Sequence, residues 1–289
     1  MARSDWNRPS EFGAPEDRRR IKIILSYNGA YYCGWQKQKE GKSVQGEIEK
    51  AVAAITGLSD DQVLGSGRTD SGVHAYGQTA HIETRNKKIP ARAFALRLNQ
   101  LLPPSIRIRE AEEVDNSFHC RFSAMAREYR FFIKESSTRN AFDDTQYLFI
   151  KSFPPLELLN SYAEKIVGTH DFSTFCGSGD KSLSHYRDIY ESVFYFTEDQ
   201  FNEKVLVYKI CGNAFLYHMV RSITGTLLWL ANNEKEPSEF EKILESKERS
   251  KAGPTAKPGG LYLWRICYNS EEYKWFEEKY GNKRKPGSK

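Results

Sequence analysis

Residues 43–84 read SVQGEIEKAVAAITGLSDDQVLGSGRTDSGVHAYGQTAHIET, and the punctuation of this stretch sets the architecture. Ser43 is a hydroxyl cap ahead of Val44, Ile48, Val52 and Ile55, which fall at helical spacing. Gly57 suits the position just past a helix end. The spacing predicts a helix over 43–55, a short strand near 62–64, a glycine-rich loop, and a strand over 76–84. Upstream, IKIILSY at 21–27 is apolar on both faces, as a central strand is. Downstream, Pro90 starts a second helix with Phe94, Leu98 and Leu101 on one stripe, and the prolines at 103 and 104 stop it. Ile106 and Ile108 alternate with Arg107 and Arg109, the pattern of a strand with one wet face.

This half spells β-α-β-β-α-β, the ferredoxin-like unit. The second half repeats the order. A strand covers 125–134, and Leu156, Leu159, Ala163 and Ile166 mark a helix that Gly168 can end. Strands follow through Ile189, Val193 and Tyr195 and over 204–210. A long helix runs from Asn213, its N-cap, to about Ala231, with Leu216, Val220, Ile223, Leu227 and Leu230 on one face. A short helix over 238–248 and a strand over 261–268 complete the half. The fold class is α+β, with two tandem ferredoxin-like halves and largely antiparallel sheets. The expected organisation is a polar tail over 1–20, α+β domains over 21–117 and 118–272, and a basic tail over 273–289. The symmetry lies in element order and not in a sequence repeat.

With 39% hydrophobic and 28% charged residues, the 289-residue chain has the composition of a soluble protein with a real core. No apolar run approaches the ~20 residues of a membrane helix. The first residues, MARSDWNRPSEFGAPEDRRR, lack the apolar core of a secretory signal. Five scattered cysteines without a C-x-x-C pair argue against a disulfide scaffold or a zinc cage and fit a reducing cytoplasm. A net charge of +5 weakly favours polyanion partners.

Within residues 65–75, GSGRTDSGVHA, the glycines Gly65, Gly67 and Gly72 surround one carboxylate, Asp70, with Arg68 two residues before it. Local composition leaves two readings open: a hairpin loop with a turn aspartate, or a loop that holds a lone carboxylate out into a cleft. The loop lacks the G-K-[ST] of a phosphate-binding loop. His81 and Glu83 match the H-x-E of zinc deaminases, but the partner P-C-x-x-C is missing. His74 follows Asp70 at i+4, a spacing that says little outside a helix. Arg127, Tyr129, Phe131 and Ile133 share a strand face, where an arginine beside a tyrosine can hold a phosphate while the ring stacks on a base. Arg221 lies beside the buried stripe of the long helix and needs a partner.

Seven ordered blocks carry a resemblance to the TruA family of tRNA pseudouridine synthases. They are YNGAYYCGWQKQ (27–38), SVQGEIEKAV (43–52), GSGRTDSGVHAYGQ (65–78), FHCRFSAMAREYRF (118–131), HDFSTF (170–175), NAFLYHMVRSITG (213–225) and AGPTAKPGGLYL (252–263). The resemblance implies that Asp70 is the catalytic aspartate and that Arg68 helps open the RNA and flip the nucleotide. It implies that Tyr129 stacks on the target base, that Arg221 pairs with the aspartate, and that Leu263 lines the pocket. It further implies two α+β halves whose sheets join around a basic cleft, a homodimer, and tRNA as partner. The expected targets are uridines of the anticodon stem-loop, at positions 38, 39 and 40. Ser66, Ser71, Cys33 and Cys120 depart from the usual residues without touching the charge pattern. The isomerisation moves no electrons in or out, so it requires no redox cofactor, and the chain carries no metal or nucleotide-phosphate motif. The rival expectation is a non-catalytic RRM-like RNA-binding module or a tRNA chaperone; the RNP1 pattern is absent from both halves.

Overall fold

The computed structural model describes residues 17–143 and 145–269. The basic tail expected over 273–289 and most of the tail expected over 1–20 lie outside the described residues. The chain divides into two compact units, the first ending at Ala124 and the second starting at Met125.

The first unit is β1 (Arg19–Tyr27), α1 (Val44–Thr56), β2 (Gln62–Gly65), β3 (His74–Thr84), α2 (Ala91–Leu101) and β4 (Ile106–Val114). β1 pairs antiparallel with both β3 and β4, and β2 joins the far edge of β3. The sheet order is therefore β4-β1-β3-β2, with β1 paired on both sides. Ile21, Ile23, Leu25 and Tyr27 of β1 are buried together with Ala80, Ile82, Ile106 and Ile108. Val44, Ile48 and Val52 of α1 and Phe94 and Leu98 of α2 complete this core. Each large apolar side chain so buried contributes about 1.5–3 kcal/mol.

The helix boundaries have local causes. Ser43 Oγ accepts from the Gly46 N–H at 3.2 Å, and Gly57 takes φ 73° at the other end of α1. α2 differs from its expected stripe: Leu101 is exposed and Leu102, one residue on, is buried in its place. Asn99 clamps α2 to β4, its amide bonding both the N–H and the C=O of Ile108 at 2.8 and 2.7 Å.

The second unit is β5 (Ala126–Glu135), β6 (Leu148–Ile150), α3 (Leu156–Ala163), β7 (Gly168–Asp171), β8 (Tyr186–Glu198), β9 (Lys204–Gly212), α4 (Met219–Asn232), α5 (Pro237–Ser246) and β10 (Leu261–Cys267). The main strands are antiparallel in the order β10-β5-β9-β8-β7. Counted within the unit, the fourth, first, third and second main strands lie in the same order as in the first unit. The short strands β6, parallel to β5, and β7 are additions that sequence pattern did not reveal.

One boundary is corrected. The long helix begins at Met219, not at Asn213. Asn213 is committed elsewhere: its N–H donates to Asp188 O at 2.9 Å, and its side-chain oxygen accepts from the Asp188 N–H at 3.2 Å. His218, at φ 61°, then turns the chain so that helical geometry starts one residue later. Leu216 is buried as the apolar stripe requires, but from the loop.

Lys134, at the end of β5, is fully buried among Asp143 (2.8 Å), Asp199 (2.6 Å) and Glu203 (2.6 Å). Burial alone would lower its pKa; the three carboxylates outweigh that and raise it. The cluster ties the 140–147 loop and the β8–β9 turn to β5. Replacing one member of such a network strands the others in a dry site. Lys134→Met is expected to cost about 3–5 kcal/mol in urea unfolding. A loss below about 1 kcal/mol would show that the cluster does not hold these segments.

Candidate active site

The 65–75 loop is held by hydrogen bonds from the end of β1 and the segment just after it. Trp35 N–H donates to Thr69 O at 3.1 Å, and the Thr69 hydroxyl meets the Tyr27 hydroxyl at 2.8 Å. The Ser71 hydroxyl donates to Tyr32 O at 3.3 Å, and the Val73 N–H closes a turn onto Asp70 O at 3.1 Å. Gln78 reaches back to Gly67 O at 2.9 Å. The approach is too close for side chains. A Cβ on Gly29 would lie 2.0 Å from Val73 O, and one on Gly65 would lie 2.4 Å from the Trp35 ring. Gly34, at φ 111°, and Gly72, at φ 78°, supply left-handed turns. Of the loop's glycines, Gly67 meets neither requirement.

Within this frame Thr69 is buried, Asp70 half-buried and Arg68 exposed. The alternation follows from the lock: fixing Thr69 inward turns its neighbours outward. His74 is buried, and its Nδ1 accepts from the Gly29 N–H at 3.1 Å, a bond that pins the loop exit.

In the second unit, β10 and β5 place Leu263 and Tyr129 directly opposite each other, so both side chains share one face. Leu263 is fully buried and Tyr129 half-buried. The β10 register shifts between Leu263 and Arg265, a bulge beside this pair of the kind that re-aims side chains next to functional sites. The Tyr129 ring meets Phe215 edge-on at 5.1 Å and 81°. Arg127 Nη1 donates to Asn213 O at 2.7 Å, tying β5 to the loop that leads into α4. Phe215 was not anticipated; its signal was an aromatic between the Asn213 and Leu216 anchors.

Arg221 sits in the first turn of α4. Its Nε donates to Ala256 O at 2.9 Å, and the Ala256 N–H returns a bond to Arg221 O at 3.1 Å. The 252–260 segment lies against α4 so closely that a Cβ on Gly225 would fall 1.8 Å from Pro254 O. This segment leads into β10, so the backbone contacts that orient Arg221 also place Leu263.

The H-x-E pattern has a different role from its deaminase likeness. His81, His119 and Cys120 converge, with ligand atoms within 4.8 Å of one another. Local bonds tie these residues together: His81 Nδ1 accepts from the Cys120 N–H (3.2 Å), His119 Nδ1 from the Arg121 N–H (3.1 Å), and Cys120 Sγ donates to Leu64 O (3.2 Å). Glu83 faces His81 Nε2 at 3.5 Å and is ion-paired with buried Arg20. All five cysteines are free thiols.

A sequence model of the tRNA pseudouridine synthase family matches residues 23–123 and 162–269. The chain is 43% identical over 258 residues to tRNA pseudouridine synthase A of Treponema denticola, spanning 88% of this chain and 94% of that one. The protein of the same name from Acetivibrio thermocellus is 40% identical over 250 residues, 86% of this chain and all of its own length. That of Bacillus subtilis is 40% identical over 253 residues, 87% of this chain and all of its own length. These matches place the chain in a class of RNA-modifying isomerases. This chain belongs to the tRNA pseudouridine synthase family.

The buried histidines make a pH prediction. Burial, then His81 and Arg20, hold His119 down to about 4 from its ordinary 6.5. Burial likewise lowers His81. The His81 N–H and Arg20 outweigh burial to hold Glu83 at about 2, below its ordinary 4.5. In every case the folded pKa lies below the unfolded one, so the folded state binds fewer protons. Stability is full above about pH 6.5, drains through the histidines toward pH 4, and drains further through Glu83 below 4.5. Urea midpoints are expected to fall between pH 7 and 5, and His119→Asn is expected to flatten that limb. A flat wild-type profile over this range would contradict the assignment.

Proposed function

We propose that Asp70 starts the isomerisation of uridine to pseudouridine in the anticodon stem-loop of tRNA. The supporting observation is the loop itself: its backbone is fixed on both sides of Asp70, which stays at the surface, half-buried, beside an exposed arginine. The reaction breaks the N1–C1′ bond, turns the uracil, and forms the C5–C1′ bond. One proton leaves C5 and one is taken up at N1, so composition is unchanged. Asp70 acts as an ionised carboxylate, either as nucleophile or as the base that begins glycal formation. Arg221 is the partner proposed to favour that charge, because a guanidinium is protonated throughout and offers a planar fork to both carboxylate oxygens.

The target base must leave its stack, at a cost of a few kcal/mol. Arg68 is exposed and makes no ion pair or hydrogen bond among the described residues, which suits a side chain reserved for the RNA backbone. Tyr129 stacks on the extruded uracil, its ring steadied edge-on by Phe215, and Leu263 beneath it keeps water from the intermediate. The reading includes a homodimer working on one tRNA in the cytoplasm. Among the described residues no helix is long and apolar enough to cross a membrane.

Asp70→Asn is expected to abolish tritium release from C5-labelled tRNA while filter binding of tRNA persists; turnover in a clean preparation of this variant would defeat the assignment. Arg221→Lys keeps the charge and loses the fork. It is expected to slow single-turnover isomerisation on the order of 10²-fold, as a misplaced catalytic group does, with a smaller change in tRNA affinity. A rate equal to wild type would remove Arg221 from the site.

A further inference from the structure

The cations on the sheet of the first unit are treated in two ways. At one end each is matched to a carboxylate: Arg18 to Asp60, Arg19 to Glu113, Arg20 to Glu83, Lys22 to Glu112. Toward the other end, where the 65–75 loop runs into β3, the matching stops. Arg107 and Arg109 of β4 are exposed and make no ion pair among the described residues. Their guanidinium bonds go to main-chain carbonyls, Arg107 to Pro103 and Ile106, and Arg109 to Tyr76 O at 3.1 Å.

Tyr76 stands six residues past Asp70 and is 46% exposed. The Arg109 guanidinium lies over that ring, 4.6 Å from its centroid. An exposed cation–π pair adds only about 0.5–1 kcal/mol to stability, and the core packs without it. What it does provide is a planar, cationic, pre-ordered surface beside the candidate catalytic loop. Unpaired RNA bases stack on aromatic rings and on guanidinium planes, and adjacent phosphates favour uncompensated arginines.

We propose that Tyr76 and Arg109 form a shelf on which an unpaired base flanking the target uridine stacks, with Arg107 and Arg109 taking the neighbouring phosphates. The inference rests on the tRNA reading above and adds residues to it. Tyr76→Ala is expected to raise KM for tRNA about tenfold, with the loss falling on KM and not on kcat. Tyr76→Phe, which keeps the π-face, is expected to restore KM. Arg109→Ala is expected to weaken tRNA binding and to reduce the slope of log K against log salt by about one. Urea midpoints of the variants identify any that are misfolded. A folded Tyr76→Ala with KM within twofold of wild type, and an unchanged salt slope for Arg109→Ala, would overturn the shelf. Those results would leave the pair as a local brace or a contact for an acidic protein. If wild type forms no pseudouridine, the functional reading has failed instead, and tRNA filter binding by the same variants still decides the shelf.

Discussion

The hydrogen-bonded lock between the end of β1, the segment that follows it and the 65–75 loop is the constraint on which the candidate site depends. Trp35 N–H on Thr69 O, the Tyr27–Thr69 hydroxyl pair and Gly29 N–H on His74 Nδ1 fix the chain at three places around Asp70. The approach there is close, which explains Gly29 and Gly34, where a Cβ would meet the main chain of Val73 and Thr69, and Gly65, where it would meet the Trp35 ring. A carboxylate on a floating loop would need ordering with each substrate; this one is ordered by folding. The position of β1 at the sheet centre transmits the rigidity of the core to the loop, since Tyr27 is both its last residue and a loop anchor.

The second unit uses the same device for a different side chain. Gly225 lets the 252–260 segment lie against α4, and Arg221 is bonded across that contact through both its side chain and its carbonyl. The segment then enters β10, whose Leu263 faces Tyr129 on β5. Two residues proposed for the site, Arg221 and Leu263, therefore depend on one close packing of helix and loop. Moving that contact would move Arg221 and Leu263 together.

Buried polar groups elsewhere act as fasteners. Lys134 gathers three carboxylates from two loops, and Arg20 bridges Glu83 to the Asn116 carbonyl beyond β4. These networks hold segments with few apolar residues to the ends of strands. They also account for the His81–Glu83 pattern, which belongs to this fastening and not to catalysis.

Much of the architecture was legible in the sequence because its causes are local. Ser43 caps α1 through its hydroxyl and Gly57 ends it in the left-handed region, and the largely apolar stretch at 21–27 reads as a central strand. The glycine-framed Asp70, with the blocks around it, identified the family from residue order alone. Tertiary structure decided what depends on distant partners. Asn213 is a good helix cap by type but is claimed by Asp188 on β8, which delays α4 to Met219. His74, whose spacing from Asp70 says little by itself, is bonded to Gly29, forty-five residues away. The Tyr129–Phe215 contact, the Arg109–Tyr76 stack and the Lys134 cluster were not readable as pairings along the chain, because each joins elements whose neighbourhood exists only after the strands have paired. Local propensity sets which elements form; the register and packing between them set which side chains meet.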